Sequence, residues 1–456
     1  MRPFPLALFS LLLVVQSSSP MAAQGESHVA MISIDGLGAS ELFSTPTCVR
    51  ENSTLRELAR RGAYSRGVYS VLPAITYPAH ATLATGSPPT THRVLDNGRG
   101  GEWFKERSNI AVDTIWDAAR RAGRSVAIVT WPSTYGAKAD WLVPEDLDNA
   151  KDPVPALRAG STPELFDALL AATGGAPSLM PFSEREAGKP LDEMTARFAA
   201  EVVRRHRPAL LLAHFLDYDH RMHADPWSVE ACAALERIDA HVKRIVEAYR
   251  EAGILERTTF FVVSDHGFVA VKKRVSPFML LKEAGWAEVF PGVDVATAFK
   301  YNPAGGSIAF HPGPATQPDW TQRLEKRIRP RVERRFGNLL RWIDPAQARS
   351  LGGFPDALFT LCARPGYAFT LQPEREVVVE RAAAAGVHGY CPDEPEMNAV
   401  FVASGHGIRP AGAIGRMPMV DVGPTVASFL GVSLPQATGH DRSEAIRSFP
   451  ERSSGR

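Results

Sequence analysis

Long hydrophobic runs are scarce in this chain. Beyond residue 23 no stretch approaches the roughly 20 apolar residues of a bilayer-spanning helix, which excludes a polytopic membrane protein. Excess charge of one sign is also missing. Lys and Arg total 51 against 50 Asp and Glu, so nothing in the balance draws the chain to a nucleic-acid polymer or an acidic membrane. No internal repeat is present, which excludes a solenoid. Cysteines number only 4 and none are spaced Cys-x-x-Cys, so a cysteine-bound metal is not indicated. Absent too is the Gly-x-Ser-x-Gly elbow of metal-free α/β hydrolases.

What is present begins with a targeting pattern. Met1-Arg2 gives a short positive start, residues 5–15 are apolar, and small residues lead to Met21-Ala22-Ala23. That run is short for a membrane span, so residues 1–23 read as a cleaved signal peptide, with an uncleaved anchor as the alternative. The mature chain is expected to be periplasmic or secreted, with no stable membrane insertion. In such a compartment Cys48, Cys232, Cys362 and Cys391 form an even set that allows three pairings. Cys232 also falls on a helical apolar stripe with Leu235, Ile238, Val242 and Ile245, and reads equally well as a buried free thiol.

Short Val-, Ile- and Phe-rich runs at 28–34, 125–131, 208–215, 258–264 and 398–404 lack strict alternation, as strands covered on both faces do. Amphipathic stretches at 114–122 and 228–252 lie between them. This alternation predicts an α/β fold with a largely parallel sheet, whose functional groups gather at the carboxyl ends of the strands. Two regions interrupt the rhythm. Residues 137–189 read as loop-rich. Residues 272–385 read as an inserted cap-like subdomain, with a strand at 305–310 and a basic helix at 320–336 whose charges suit a solvated face. The core is thus expected over 27–271 and 386–447, with a flexible tail at 448–456.

Five motifs fall at or just after predicted strand ends. They are Asp35-Gly36, Thr76-Tyr77-Pro78-Ala79-His80, Asp219 with His223 four residues on, Asp265-His266, and His388 between glycine neighbours. Singly each has a bland reading as a turn, a cap or a surface histidine. Together they supply three carboxylates and three imidazoles, a donor set that suits zinc ahead of manganese or iron. Two metals that each keep an open position need about six protein ligands, and the count fits.

On these motifs the chain resembles the nucleotide pyrophosphatase/phosphodiesterase family of the alkaline phosphatase superfamily, from residue 31 to about 439 with the middle of the insertion excluded. The resemblance implies an alkaline-phosphatase-like three-layer sandwich. It assigns Asp35, Asp265 and His266 to a first metal that also binds Thr76, and Asp219, His223 and His388 to a second. Asn97, in the loop after the nucleophile helix, would assist the phosphate oxygen. The sequence departs from the family at Ala79 and around Met222-His223-Ala224, without losing a ligand.

The implied activity is cleavage of phosphodiester or pyrophosphate bonds in a small nucleotide or lipid-headgroup diester by two zinc ions and a phospho-threonine on Thr76. The Thr76 backbone N–H is expected to join Asn97 as an oxyanion donor, and His80 to bond the nucleophile loop. Tyr77 either stacks on the substrate or packs in the core, and Trp131 and Tyr135 are further candidates for the same wall. Residues 272–385 are expected to help shape that pocket. Two rivals stand: a phosphomonoesterase using the same site, with Arg93 and Arg99 available to a dianion, and an inactive binding protein on the same fold.

Overall fold

The structure, a computed structural model, describes residues 27–44, 48–147, 152–175, 178–181 and 183–448. The expected leader at 1–23, and all of the 448–456 tail except Ser448, lie outside the described residues. Among the described residues no helix is long and apolar enough to cross a membrane.

A 9-stranded sheet organises the chain, in the order Gly412–Ala413, Ala63–Tyr69, Ala399–Gly405, Thr258–Val263, His28–Ile34, Leu210–Phe215, Val126–Val129 and Trp141–Val143, with Met417–Pro418 also on Ala63–Tyr69. Only Ala399–Gly405 runs against its neighbours. All seven residues of His28–Ile34 are buried, because the strand is flanked on both edges and covered on both faces. Its side chains alternate between two cores. Ala30, Ile32 and Ile34 meet the helices Gly188–His206 and Val229–Glu251 on one side. Val29 and Met31 meet Thr76–Thr85, Ile115–Arg121 and Val422–Leu430 on the other. This is a helix–sheet–helix sandwich, and the predicted α/β class with a largely parallel sheet is what forms.

The 137–189 region is more regular than its composition suggested. It holds the edge strand Trp141–Val143 and the helices Val154–Gly160 and Leu165–Thr173. Pro153 and Pro155 sit at the start of the first of these helices, where the missing N–H costs nothing. Between Val269 and Val387 the chain forms a 3-stranded and a 4-stranded sheet around an aromatic core that includes Phe299, Phe310, Trp320, Trp342 and Phe359. The basic helix runs from Trp320 to Phe336 and widens to a π turn over Leu324–Ile328. Pro330 follows that turn and has no N–H to give to the preceding carbonyls. Arg329 pairs with Glu325 and Glu333, and Arg331 with Glu288, while Leu324, Ile328 and Val332 are buried. Its charges are a paired, solvated face.

All four cysteines are bonded. Cys48 pairs with Cys232 and Cys362 with Cys391, at Cα separations of 4.7 and 5.7 Å. The free-thiol reading of Cys232 is therefore corrected. Cys232 is only partly buried, at the margin of the helix stripe, where the loop carrying Cys48 reaches it.

Candidate metal centre and nucleophile

Asp35 leaves the central strand through a turn that needs Gly36. Its φ is +72°, and a Cβ there would lie 2.4 Å from the Phe268 ring. Asp265 leaves the adjacent strand, and its Oδ1 accepts from the Gly36 and His266 backbone N–H groups at 3.0 Å each. Asp219 and His223 share one face of the helix Asp217–Ala224, which follows the strand on the other side. His388 follows the Val378–Val387 strand. Parallel order thus brings Asp35, Asp265, His266, Asp219 and His223 to one end of the central sheet, and His388 joins them from the 3-stranded sheet.

Asp35, Asp265 and His266 place one donor atom each within 4.8 Å of one another, and Asp219, His266 and His388 do the same. His266 stands between the groups, stacked on His388 with ring centroids 3.8 Å apart. His223 completes the second group, with Nε2 3.5 Å from Asp219 Oδ2 and 3.1 Å from His388 Nε2. The tautomers follow from the opposite ring edges. His223 Nδ1 donates to the Gly386 carbonyl at 3.0 Å and His388 Nδ1 to the Ala74 carbonyl at 3.2 Å. Both Nε2 atoms therefore present lone pairs to each other, an arrangement a cation between them stabilises.

The orphaned atoms point the same way. Asp35 Oδ1, Asp219 Oδ1, Asp265 Oδ2 and His266 Nε2 are buried without a hydrogen-bond partner. Burial and the Asp219 charge hold Asp35 well above the usual carboxylate range, and burial and Asp35 do the same to Asp265. His266 is pushed well below its usual range by burial and by His388, and His388 to about 4 by burial and by His223. Divalent charge reverses the cost for the acids and requires the imidazoles neutral. The residues fit a metal pair.

Thr76 opens the helix Thr76–Thr85, after Ile75 in extended backbone. The helix start gives a partial positive charge beside its hydroxyl. At the other end Gly86 adopts φ +65°, where a Cβ would lie 2.5 Å from Pro424. His80 Nδ1 donates to the Thr76 carbonyl at 2.8 Å, and its Nε2 bonds Ser33 Oγ at 2.8 Å, so it ties the Thr76 turn to the central strand. Asn97 Oδ1 accepts from the Tyr77 N–H at 3.0 Å. That contact fixes the amide orientation, with the oxygen on the Tyr77 N–H and the NH₂ left as a candidate donor toward the cavity.

These groups open on a cavity of about 510 Å³ lined by Asp35, Thr76, Tyr77, Asn97, Asp219, His223 and His388. Trp103, Leu147, Ser183, Arg185, His214, Leu216, His220 and Ala224 complete it. Several expectations change here. Among the described residues the 272–385 segment contributes no wall. Its role is support, since Gly306 N–H holds the His388 carbonyl at 2.9 Å. Neither Arg93 nor Arg99 lines the cavity, so the cation available to an anionic substrate is Arg185. Trp131 is fully buried, edge-on to His80, and Tyr135 sits under Lys105. Of the two readings of Tyr77 the core one holds, since its side chain is fully buried and stacked on Trp103 at 5.6 Å, and Trp103 is the ring left partly open at the cavity.

The sequence reading also missed His214. Its Nε2 lies 3.1 Å from Asp35 Oδ2, and its Nδ1 is 2.7 Å from Glu145 Oε2. Burial disfavours its charge, but Glu145 and Asp265 outweigh that and raise its pKa. A histidine in the otherwise apolar strand LLLAHF was the available signal. A larger surface groove of about 730 Å³ lies toward the other end of the sheet, but Arg60 and Arg61 pair there with Glu57, and Arg250 with Glu247.

The sequence profile of the Type I phosphodiesterase / nucleotide pyrophosphatase family matches residues 29–391. Rat ectonucleotide pyrophosphatase/phosphodiesterase family member 3 is 28% identical over 131 residues, 26% of this chain and 15% of its own length. Human family member 1 is 20% identical over 255 residues, 52% of this chain and 23% of its own. The matches thus span less than a quarter of either relative. Among solved structures, murine ectonucleotide pyrophosphatase / phosphodiesterase 5, as an inactive Thr-to-Ala variant in complex with AMP, superposes with a TM-score of 0.62 at 15% identity. It covers 92% of this chain and 100% of its own, and the human counterpart matches equally at 16% identity. The chain belongs to the Type I phosphodiesterase / nucleotide pyrophosphatase family.

Proposed function

We propose that this chain is an exported hydrolase that cleaves phosphodiester or pyrophosphate bonds through a covalent phospho-threonine on Thr76. The observation that carries the reading is the opening of Thr76, Asn97, Asp35, Asp219, His223 and His388 on one cavity, beside buried ligand atoms of Asp35, Asp219, Asp265 and His266 that have no hydrogen-bond partner. The AMP complex of the murine structural neighbour supports a nucleotide as the substrate class. Two disulfides support an oxidising, extracytoplasmic location.

Asp35, Asp265 and His266 would hold one zinc ion and Asp219, His223 and His388 the other, supplying the positive charge that acidifies the Thr76 hydroxyl and steadies the phosphoryl oxygens. Thr76 Oγ attacks phosphorus as the ester bond on the far side breaks, on the side of Asp219 and His223. Water then cleaves the Thr76–phosphorus bond and regenerates the hydroxyl. His80 holds the nucleophile turn through both stages, and Asn97 donates to a non-bridging oxygen whose charge grows in the transition state.

A diester presents one non-bridging charge and one neutral or remote substituent. The Trp103 ring on the cavity wall, backed by the buried Tyr77, suits that substituent better than it suits a bare dianion. The expected kcat/KM for a nitrophenyl-nucleotide diester therefore exceeds that for nitrophenyl phosphate by at least about tenfold, or roughly 1.4 kcal/mol. Side-by-side turnover of the purified protein checks this, and a monoester preference would reassign it as a phosphomonoesterase. Asn97→Ala is expected to lower kcat on either ester by a factor on the order of 100, as loss of one oxyanion donor does. A change under about threefold would remove Asn97 from that role.

A further inference from the structure

The wall of the cavity beside the second ligand group comes from the loop at 183–187, which is tied to the helix carrying Asp219 and His223. His220 Nε2 donates to the Glu184 carbonyl at 3.1 Å. Arg221, itself buried and bonded to Asp217 at 3.2 Å, grips both Glu186 oxygens at 2.7 and 2.6 Å. Both neighbours of Arg185 are thus fixed to that helix, and Arg185 lines the cavity between them. The adjacent acid that would neutralise it is committed to Arg221, and Arg185 makes no salt bridge among the described residues. It is the one guanidinium or ammonium among the described lining residues. Tyr77, Asn97 and Trp103 belong to the nucleophile side, whereas Arg185 belongs to the side from which the leaving group departs.

We propose that Arg185 is a specificity-determining residue that receives a negatively charged leaving group, the pyrophosphate end of a nucleoside triphosphate. The inference rests on the diesterase/pyrophosphatase reading above and adds the substrate's charge to it. The Thr76 hydroxyl gives its proton to solvent, and the Oγ–Pα bond forms as the bond from Pα to the bridging oxygen breaks. The electron pair stays on that oxygen, and the charge gained by pyrophosphate falls on the Arg185 side. A planar guanidinium bonds phosphate oxygens in pairs, whereas a nitrophenyl group leaves as a phenolate with one oxygen and its charge spread into the ring, and offers no such pair.

The test compares two substrates that transfer the same nucleotide, a nucleoside triphosphate and a nitrophenyl ester of the nucleoside monophosphate. In Arg185→Gln the ratio of their kcat/KM values is expected to shift about tenfold against the triphosphate, mainly through KM, a magnitude typical of one charge-assisted contact. Added pyrophosphate should inhibit the variant less by a similar factor, and Arg185→Lys should recover part of both effects. A ratio within twofold of wild type, or equal losses on both substrates, overturns the assignment. If wild type releases nucleoside monophosphate from neither substrate, the diesterase reading itself fails and takes this inference with it. Wild-type turnover of both substrates with an unmoved ratio in Arg185→Gln removes Arg185 alone.

Discussion

Thr76→Ala is expected to lose turnover by a factor on the order of 10³ or more while keeping its fold and its bound metal. The separation of chemistry from structure follows from which atoms make which contacts. The turn is held by the Thr76 carbonyl on His80 and by the Tyr77 N–H on Asn97, neither of which involves the Thr76 side chain. Six other side chains make up the ligand groups, and their own supports, the Gly386 and Ala74 carbonyls and the Gly36 N–H, are backbone groups elsewhere. Removing one hydroxyl leaves these intact. Single-turnover assays with circular dichroism and elemental analysis check all three parts of the expectation. Thr76→Ser should retain partial activity, since it keeps an attacking oxygen but loses the methyl that restricts its rotamer. A purified alanine variant with more than a tenth of wild-type kcat would end the case for attack by Thr76.

Legibility from sequence tracked how local each determinant was. The central strands were readable because fully covered parallel strands leave unbroken apolar runs, and the 28–34 run and its strand coincide. The six candidate ligands were readable because each sits in a short motif at or just after a strand end. His214 and Glu145 were not, because their pairing spans 69 residues and Glu145 lies in a stretch that looks like ordinary loop. The same limit hid Trp103, whose small hairpin with residues 98–99 carries little apolar signal. Arg185 was invisible among other exposed charges until the contacts of Glu184 and Glu186 fixed its loop. Cysteine pairing across 184 residues is set by the packing of loop on helix, which no spacing rule encodes. The insertion misled in role: it was expected to shape the pocket, yet it buttresses His388 from behind.

Chelation is expected to abolish turnover, zinc to restore it, and elemental analysis of the active protein to find about two transition-metal ions per chain. The site itself argues for so large an effect. Three carboxylates converge with partnerless buried oxygens, and two imidazoles face each other through lone pairs at 3.1 Å. Without divalent charge the buried acids can avoid mutual repulsion only by taking up protons, and a protonated cluster gives the Thr76 hydroxyl no means of ionising near neutral pH. The same charge deficit acts on the fold, because the metal-bound state is stabilised by binding that the unfolded chain cannot reproduce. The melting temperature should therefore fall by roughly 5 °C or more on chelation, with zinc reversing the shift. The two groups should also separate by mutation. Asp219→Ala and His388→Ala should each lower the metal content toward one ion, whereas Asp265→Ala should remove the ion nearest Thr76 and with it the alkoxide. Full activity in protein shown to carry no metal would overturn the two-ion reading, and an unmoved melting temperature on complete metal removal would show that the buried carboxylates are stabilised by other means.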